Sequence, residues 1–191
     1  MTNHTELTNF IRKNISIEDK DLKVILSYFK TIKKKKNDIL LSQGKISQVS
    51  YFVKKGCLRL FFIDDKGKDV TRYIAFENQF ATALVSFITN EAAQETIQAI
   101  ENSELLYITH DDFRHLMKII PKCKDFYNVY LEKAYVNNSK RLTSFTTLNA
   151  SERYNQLFKI NPNIVKRIPN KIIASYINIS PETLSRIKSK T

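Results

Sequence analysis

Residues 169–188 restrict the fold of this chain more than any other stretch. Their apolar positions recur at helical spacing on both sides of a polar corner. These positions are Ile173, Ile177, Ile179, Leu184 and Ile187. Asn178 lies at the corner, and asparagine tolerates the left-handed backbone of a tight turn. Ser180 can cap a following helix, and Pro181 suits its first turn. The stretch therefore predicts two short helices joined by a tight turn.

The second predicted helix would bury Leu184 and Ile187 and expose its polar residues to water. The outward residues are then Glu182, Thr183, Ser185, Arg186 and Lys188. A buried inner face with a polar outer face is the layout of a helix that enters the major groove of DNA. The alternative is an ordinary helical hairpin packed within a core.

The distribution of charge favours the DNA-reading alternative. Residues 139–191 contain ten Lys or Arg and two Asp or Glu, a net charge of +8, whereas the whole chain carries +12. Residues 1–138 contain 21 basic and 17 acidic side chains and are nearly balanced. A basic end on a nearly neutral body is typical of a nucleic-acid-binding protein.

Length and composition exclude several classes of protein. With 191 residues, 42% of them hydrophobic, the chain can form one or two domains with a real core. No apolar run approaches the roughly 18 residues that span a bilayer, and residues 1–6 do not resemble a signal peptide. We therefore expect a cytoplasmic protein without a membrane partner. Cys57 and Cys123 are too few for a disulfide scaffold or a four-thiolate cluster. We also expect no metal and no cofactor.

The first two thirds of the chain divide into a helical and a β segment. Residues 5–32 have apolar side chains at helical spacing and are predicted to form helices. From about residue 38 to residue 108 the apolar residues come in short runs separated by turn signals. All three glycines, Gly44, Gly56 and Gly67, lie in these turns. Short apolar runs between glycine turns predict an all-β unit.

The β segment is followed by a long helix. Residues 110–148 have helical spacing, interrupted by Pro121. Residues 122–147 would form one helix of roughly 39 Å at 1.5 Å per residue. A dimer interface would explain this length, and packing against the chain's own β unit is the alternative. Residues 150–160 predict one more amphipathic helix.

The order of these segments resembles the Crp/Fnr family of bacterial transcription regulators. The run from Gln43 to Leu60 is similar to the family's Q-G … Y-x-V-x-x-G motif, and residues 173–186 are similar to its helix-turn-helix. The resemblance implies an α+β fold with three parts. These are a β-roll (jelly-roll-like) sensor domain with N-terminal helices at 1–118, a long dimerisation helix at 119–147 and a small C-terminal helix-turn-helix DNA-binding domain at 148–191.

The resemblance also implies which side chains contact DNA. By their positions in the family motif, Glu182 and Arg186 would touch base edges, and Ser180 and Thr183 would touch phosphates. We also place Asn170, Lys171 and Lys188 at the phosphates. Asn170 and Lys171 lie at a predicted helix N-terminus, where N–H groups and side-chain donors face phosphates.

The same helix carries the evidence for a particular branch of the family. Leu184-Ser185-Arg186 near the chain end is similar to the shortened branch found in Bacteroidetes-type bacteria. No wing is expected after Lys190.

The chain departs from the cyclic-nucleotide-binding members where the ligand would be held. Thr82 stands in place of a glycine, Ala83 in place of the ribose-binding glutamate and Ala93 in place of the phosphate-binding arginine. Without that arginine a buried phosphate loses its charge-assisted hydrogen bonds, so we expect no response to cyclic AMP. The candidate effector pocket consists of Phe80, Thr82, Ala83, Leu84, Ala93 and Gln94. Apolar residues in this region would line a site for an uncharged ligand or simply fill the core.

Together these features predict a homodimeric, DNA-binding transcription regulator that reads a palindromic operator. RNA polymerase is a candidate partner, and the small-molecule effector is unidentified. The alternative is a ligand-binding or protein-interaction module that has lost specific DNA binding. We do not expect this protein to be an enzyme, because its sequence lacks a glycine-rich phosphate loop and the HExxH and CxxC motifs. Its three histidines also show no spacing that pairs one with a nucleophile.

Overall fold

The computed structural model describes residues 4–162 and 164–189. Its elements, in chain order, are α1 (Thr5–Asn14), α2 (Asp19–Ser27), β1 (Lys30–Lys34), β2 (Ile39–Leu41), β3 (Val49–Lys55), β4 (Leu58–Ile63), β5 (Asp69–Ala75), β6 (Phe80–Ala81), α3 (Leu84–Thr89), β7 (Thr96–Ala99), β8 (Ser103–Thr109), α4 (His110–Ile119), α5 (Pro121–Thr147), α6 (Ala150–Ile160), α7 (Ile164–Arg167), α8 (Asn170–Tyr176) and α9 (Pro181–Lys188).

The strands of the described chain form two antiparallel sheets that together make a β-roll. The strand orders are β1-β8-β3-β6 and β2-β7-β4-β5. Because successive side chains of a strand point to opposite faces, β3 separates two cores. Val53 packs inside the roll, whereas Phe52 packs against helices on the outer face of the first sheet. The predicted mixed fold with a β-roll and a long helix is confirmed.

The β3–β4 turn depends on a glycine. Gly56 has φ of +103°, and a Cβ built on it would lie 2.8 Å from the Ser103 Cα. Most residues avoid this backbone region, and no side chain fits against β8 at that distance. The turn can therefore approach Ser103, the first residue of β8, closely only with glycine at this position.

A helical layer made of α1, α2, α4 and the first half of α5 covers the outer face of the first sheet. Its core includes Leu7, Ile25 and Leu116, which pack with Phe52 and Leu106 of the sheet. The long helix continues beyond this layer to Thr147, as predicted.

The C-terminal helices share a core with the roll. Ile164 and Ile173 of these helices are almost fully buried in the same apolar cluster as Cys57, Ile74 and Ile100 of the roll. The described C-terminal helices are therefore packed directly on the β-roll.

The predicted helical segment at residues 5–32 is wrong at its end, because Lys30–Lys34 form β1. This strand pairs antiparallel with β8 at one edge of its sheet. Its lysine-rich sequence carries little apolar periodicity, so the pairing partner decides its conformation. The short elements α3, β7 and α7 were also not predicted.

Candidate nucleic-acid interface and sensor pocket

The helix pair predicted at residues 169–188 is present as α8 and α9. Asn178 joins the helices with φ of +54° and so supplies the left-handed residue of the turn. The Ser180 Oγ accepts a hydrogen bond from the Thr183 N–H at 3.2 Å, and Pro181 occupies the first turn of α9. The turn and the helix cap follow the local sequence as predicted.

The two faces of α9 differ sharply in burial. Leu184 is fully buried, together with Ile173 of α8. Glu182 and Arg186 are exposed on the outer side, and Thr183 is half-buried between the two faces. The outer side of α9 thus presents a carboxylate and a guanidinium to solvent, as a base-reading helix requires.

Three of the predicted contact residues form a hydrogen-bonded chain along α9. The Ser180 Oγ lies 3.1 Å from the Thr183 Oγ1, and the Arg186 Nη2 donates to that same oxygen at 3.2 Å. The chain runs from the helix cap to the guanidinium. Its hydrogen bonds would hold Arg186 beside the first turn of α9.

Two other predicted phosphate contacts come together from different helices. The Lys188 Nζ donates to the Asn170 Oδ1 at 3.0 Å and so links the end of α9 to the start of α8. Lys171 is exposed in the first turn of α8. Asn170 and Lys171 lie at the N-terminus of α8, where phosphate contacts are common.

Glu182 lies in the first turn of α9, near the exposed N–H groups of the helix end. Hydrogen bonding to its own backbone N–H and to Ser180 lowers the pKa of this carboxyl group. Glu182 is therefore ionised at neutral pH. An ionised carboxylate can accept a hydrogen bond from the amino group of cytosine.

The helix pair is fastened to the roll through the backbone of β5. The Ser175 Oγ accepts from the Thr71 N–H at 2.7 Å and donates to the Asp69 carbonyl at 2.9 Å. Arg141 of α5 donates to the Thr71 carbonyl at 3.2 Å and to the Tyr176 carbonyl at 2.9 Å. Thr71 thus contacts both α5 and α8. No pattern in the sequence indicates these contacts.

The candidate effector pocket does not form one site. Ala83 and Ala93 are buried inside the roll, where apolar side chains from both sheets surround them. Phe80, Thr82 and Leu84 line a cavity between the roll and the helical layer. Gln94 is exposed. The six residues therefore divide between the packed core, a separate cavity and solvent.

An ion pair that the sequence analysis missed lies beside α5. Arg72 of β5 donates through Nη2 to the Glu95 Oε1 at 2.7 Å, and its Nε pairs with the other oxygen of the same carboxylate. Burial by itself would lower the pKa of Arg72, but the hydrogen bond and charge of Glu95 outweigh this effect and raise the pKa. The guanidinium therefore stays charged. Burial raises the pKa of nearby Tyr130 to about 12, so this phenol stays neutral. The charge of Glu95 is therefore balanced by Arg72.

The described residues contain neither a candidate membrane span nor a candidate metal centre. No helix in them is long and apolar enough to cross a membrane. Within the same residues, no group of three or more His, Cys, Asp or Glu side chains could hold a metal ion.

The β-roll and the helix that follows it are similar to a known domain family. Residues 31–119 match the family model of the cyclic nucleotide-binding domain. No curated protein sequence matches the chain. The predicted resemblance of this segment to the cyclic nucleotide-binding domain is thus confirmed.

Solved structures with the same fold cover most of the chain. The c-di-GMP-responsive global regulator CLP of Xanthomonas campestris is 14% identical, with a TM-score of 0.72 and coverage of 91% of both chains. A protein from Eubacterium rectale assigned to the crp/fnr family is 17% identical, with a TM-score of 0.70 and coverage of 91% of this chain and 83% of that chain. The catabolite activator protein of Thermus thermophilus is 20% identical, with a TM-score of 0.58 and coverage of 92% and 84%.

Each of these structural matches covers more than 90% of this chain. At such identities the matches show a common fold and do not establish a common function. The helix-turn-helix assignment and the Bacteroidetes-type branch stay predictions.

Proposed function

We propose that this chain is a DNA-binding transcription regulator, in which α8 and α9 form a helix-turn-helix and α9 enters the major groove. The observation that carries this proposal is the division of α9 into a buried apolar face and an exposed face with Glu182 and Arg186. Reading helices have this division. The proposed parts are a sensor at 1–118, a dimerisation helix at 119–147 and a DNA-binding domain at 148–191.

The contacts sort into base reading and backbone positioning. Arg186 suits the O6 and N7 acceptors of guanine, and Glu182 suits the amino group of cytosine. The proposed phosphate contacts are Asn170, Lys171, Ser180, Thr183 and Lys188. Their hydroxyl, amide and ammonium groups can donate to phosphate oxygens, which fixes the register of the protein on the duplex.

The second half of α5 supports a homodimer. Tyr135 and Leu142 are 74% and 66% exposed and lie seven residues apart, on the same side of the helix. Val136 is also exposed beside them. Large apolar side chains repeated at this spacing are typical of a helix–helix interface between two chains. A two-fold axis along α5 would place two reading helices on half-sites about 34 Å apart, so the operator would be a palindrome.

We propose that cyclic AMP is not the effector of this protein. An anionic ligand inside the roll would need a cation, and the interior beside Ala83 and Ala93 is filled by apolar side chains. Arg72 is already paired with Glu95.

The remaining proposals are a cytoplasmic location and RNA polymerase as a partner.

The decisive experiment selects bound fragments from random duplex DNA with the purified full chain. The proposal predicts a palindromic site that binds about 1,000-fold tighter than random DNA, with affinity that falls steeply as salt rises. Equal affinity for selected and random DNA, or no binding at low salt, would instead support a module that has lost specific DNA binding.

A further inference from the structure

An apolar cavity of about 80 Å³ lies outside the roll interior, between the first sheet and the helical layer. Ser50 of β3 and Ile108 of β8 are register partners and both line it. They lie on the same face of the sheet as Phe52, which packs against the helices. The cavity is therefore on the opposite side of the sheet from Val53 and the packed interior of the roll.

The lining of the cavity is aromatic and aliphatic. Rings from the β-roll, α3, α4 and α5 converge there, among them Phe80, Phe87, Phe113 and Phe126. None of the described residues that line it carries a charge at neutral pH. A charged ligand would lose its hydration without a compensating partner, whereas an apolar ligand would gain contacts.

A polar group lies at the wall of this apolar space. The Ser50 Oγ and the Thr82 Oγ1 are 2.6 Å apart and share one hydrogen bond. Each hydroxyl has one hydrogen, so the pair uses one and keeps a second O–H donor. Among the hydrogen bonds of the described residues, neither hydroxyl makes another. The remaining donor can therefore serve a ligand in the cavity.

We propose that this cavity binds a small, uncharged, mostly apolar molecule with one hydrogen-bond acceptor, such as a ketone or an ether. Apolar cavities of about 150 Å³ bind benzene, so a space near 80 Å³ suits a molecule smaller than a six-membered ring, with three or four heavy atoms. Phe126 and Tyr130 of α5 line the cavity, so the ligand contacts the helix proposed to join two chains. The binding step itself does not depend on the proposed DNA function.

The test uses three probes of matched shape on the full chain without DNA, namely acetone, isobutene and acetate. Binding is followed by titration NMR of the ring and methyl signals of the cavity residues. We expect acetone to bind the wild type about 5- to 10-fold tighter than it binds a variant without the two hydroxyls, which corresponds to one hydrogen bond. The carboxylate should not bind. Equal affinity for all three probes, or saturation by none, would overturn the proposal.

Two kinds of variant locate the binding. The double variant Ser50→Ala with Thr82→Val removes both hydroxyls and should weaken acetone binding about 5- to 10-fold without weakening isobutene binding. Leu84→Phe should fill the cavity and abolish binding of both probes. Val85→Phe places the same ring on the neighbouring residue of α3, which is 72% exposed, and should leave binding unchanged.

The outcomes separate this proposal from the DNA-binding proposal. If the double variant binds acetone as tightly as the wild type does, the hydroxyl pair does not donate to the ligand, and the inference fails. If Leu84→Phe binds as the wild type does, the ligand lies elsewhere and the inference also fails. Because all these measurements omit DNA, failure to recognise an operator does not affect them.

Discussion

Arg167 and Glu77 are joined by two parallel hydrogen bonds across the contact between α7 and the β-roll. The Nη1 donates to Oε2 at 2.9 Å and the Nη2 donates to Oε1 at 2.8 Å. The same carboxylate accepts from the Gly56 N–H at 2.9 Å, and Arg167 also donates to the Gly56 carbonyl at 3.0 Å. Glu101 is a further partner of the guanidinium. This pair therefore ties the C-terminal helices to the β3–β4 turn.

Removal of the guanidinium should destabilise the chain. Arg167→Ala is expected to lower the free energy of unfolding by about 1–3 kcal/mol, because hydrogen bonds to charged groups are lost and Glu77 is left half-buried. Urea denaturation measures this loss. Arg12→Ala is the matched control, since Arg12 and its partner Asp19 are 50% and 79% exposed and should contribute less than about 1 kcal/mol. Equal losses in the two variants would contradict the assignment.

The Glu77 carboxylate should make stability depend on pH in the acid range. Burial by itself would raise the pKa of Glu77, but hydrogen bonds from Arg167 and Gly56 outweigh it and the pKa is lowered. A lowered folded pKa means that this stabilisation is present above the unfolded value of about 4.3 and is lost as pH falls through the folded pKa. Glu77→Gln should therefore show a flatter decline of unfolding free energy below about pH 4.3. Parallel pH curves for the two proteins would rule this out.

The β3–β4 turn should not accept a side chain. Gly56→Ala is expected to cost more than about 2 kcal/mol, because φ is +103° and the new Cβ would meet Ser103. Gly67→Ala shares a positive φ of +75° but has open space around the Cβ, so about 1 kcal/mol is expected. Thermal and urea unfolding of both variants give the comparison. A smaller loss for Gly56→Ala than for Gly67→Ala would contradict the close approach.

Arg186 should distinguish bases, and Lys171 should not. Arg186→Ala is expected to weaken binding to the selected operator by about 1–3 kcal/mol and to relax preference at one base pair in each half-site. Fluorescence anisotropy with operator and random DNA measures both effects.

Lys171→Ala is the comparison for Arg186→Ala. It should weaken binding to all DNA sequences alike. It should also reduce the slope of log affinity against log salt concentration by about one. Equal loss on operator and random DNA for Arg186→Ala would make that residue a phosphate contact instead.

A charge on the exposed side of α5 should separate the proposed dimer. Leu142→Glu would place an unpaired carboxylate in the interface, at a cost of about 3 kcal/mol or more, which weakens association over 100-fold. Sedimentation velocity at micromolar concentration reports the change. Thr143→Glu adds the same charge at the neighbouring exposed residue and should leave the dimer intact. A wild-type monomer with full operator affinity would contradict the interface.

Local sequence determined the elements whose signals lie within a few residues. The corner at Asn178 and the cap at Ser180 follow from the residues themselves, because a left-handed turn and a helix cap need only local geometry. Glycine at position 56 indicated a turn in the same way. The order of the segments was enough to suggest the β-roll and the long helix. The residues proposed to contact DNA could also be named before the structure, since they lie on one short helix and its neighbour.

Tertiary structure decided the features that join distant parts of the chain. Lys30–Lys34 became a strand because β8 supplies its hydrogen-bond partners, although its own sequence carries little strand pattern. Arg72 and Glu95, and likewise Thr71 and Ser175, meet only after the sheets and helices have packed. The cavity beside Thr82 depends on which face of the sheet the helices cover. Such contacts depend on the relative placement of segments that can be more than a hundred residues apart. No local periodicity or propensity records that placement.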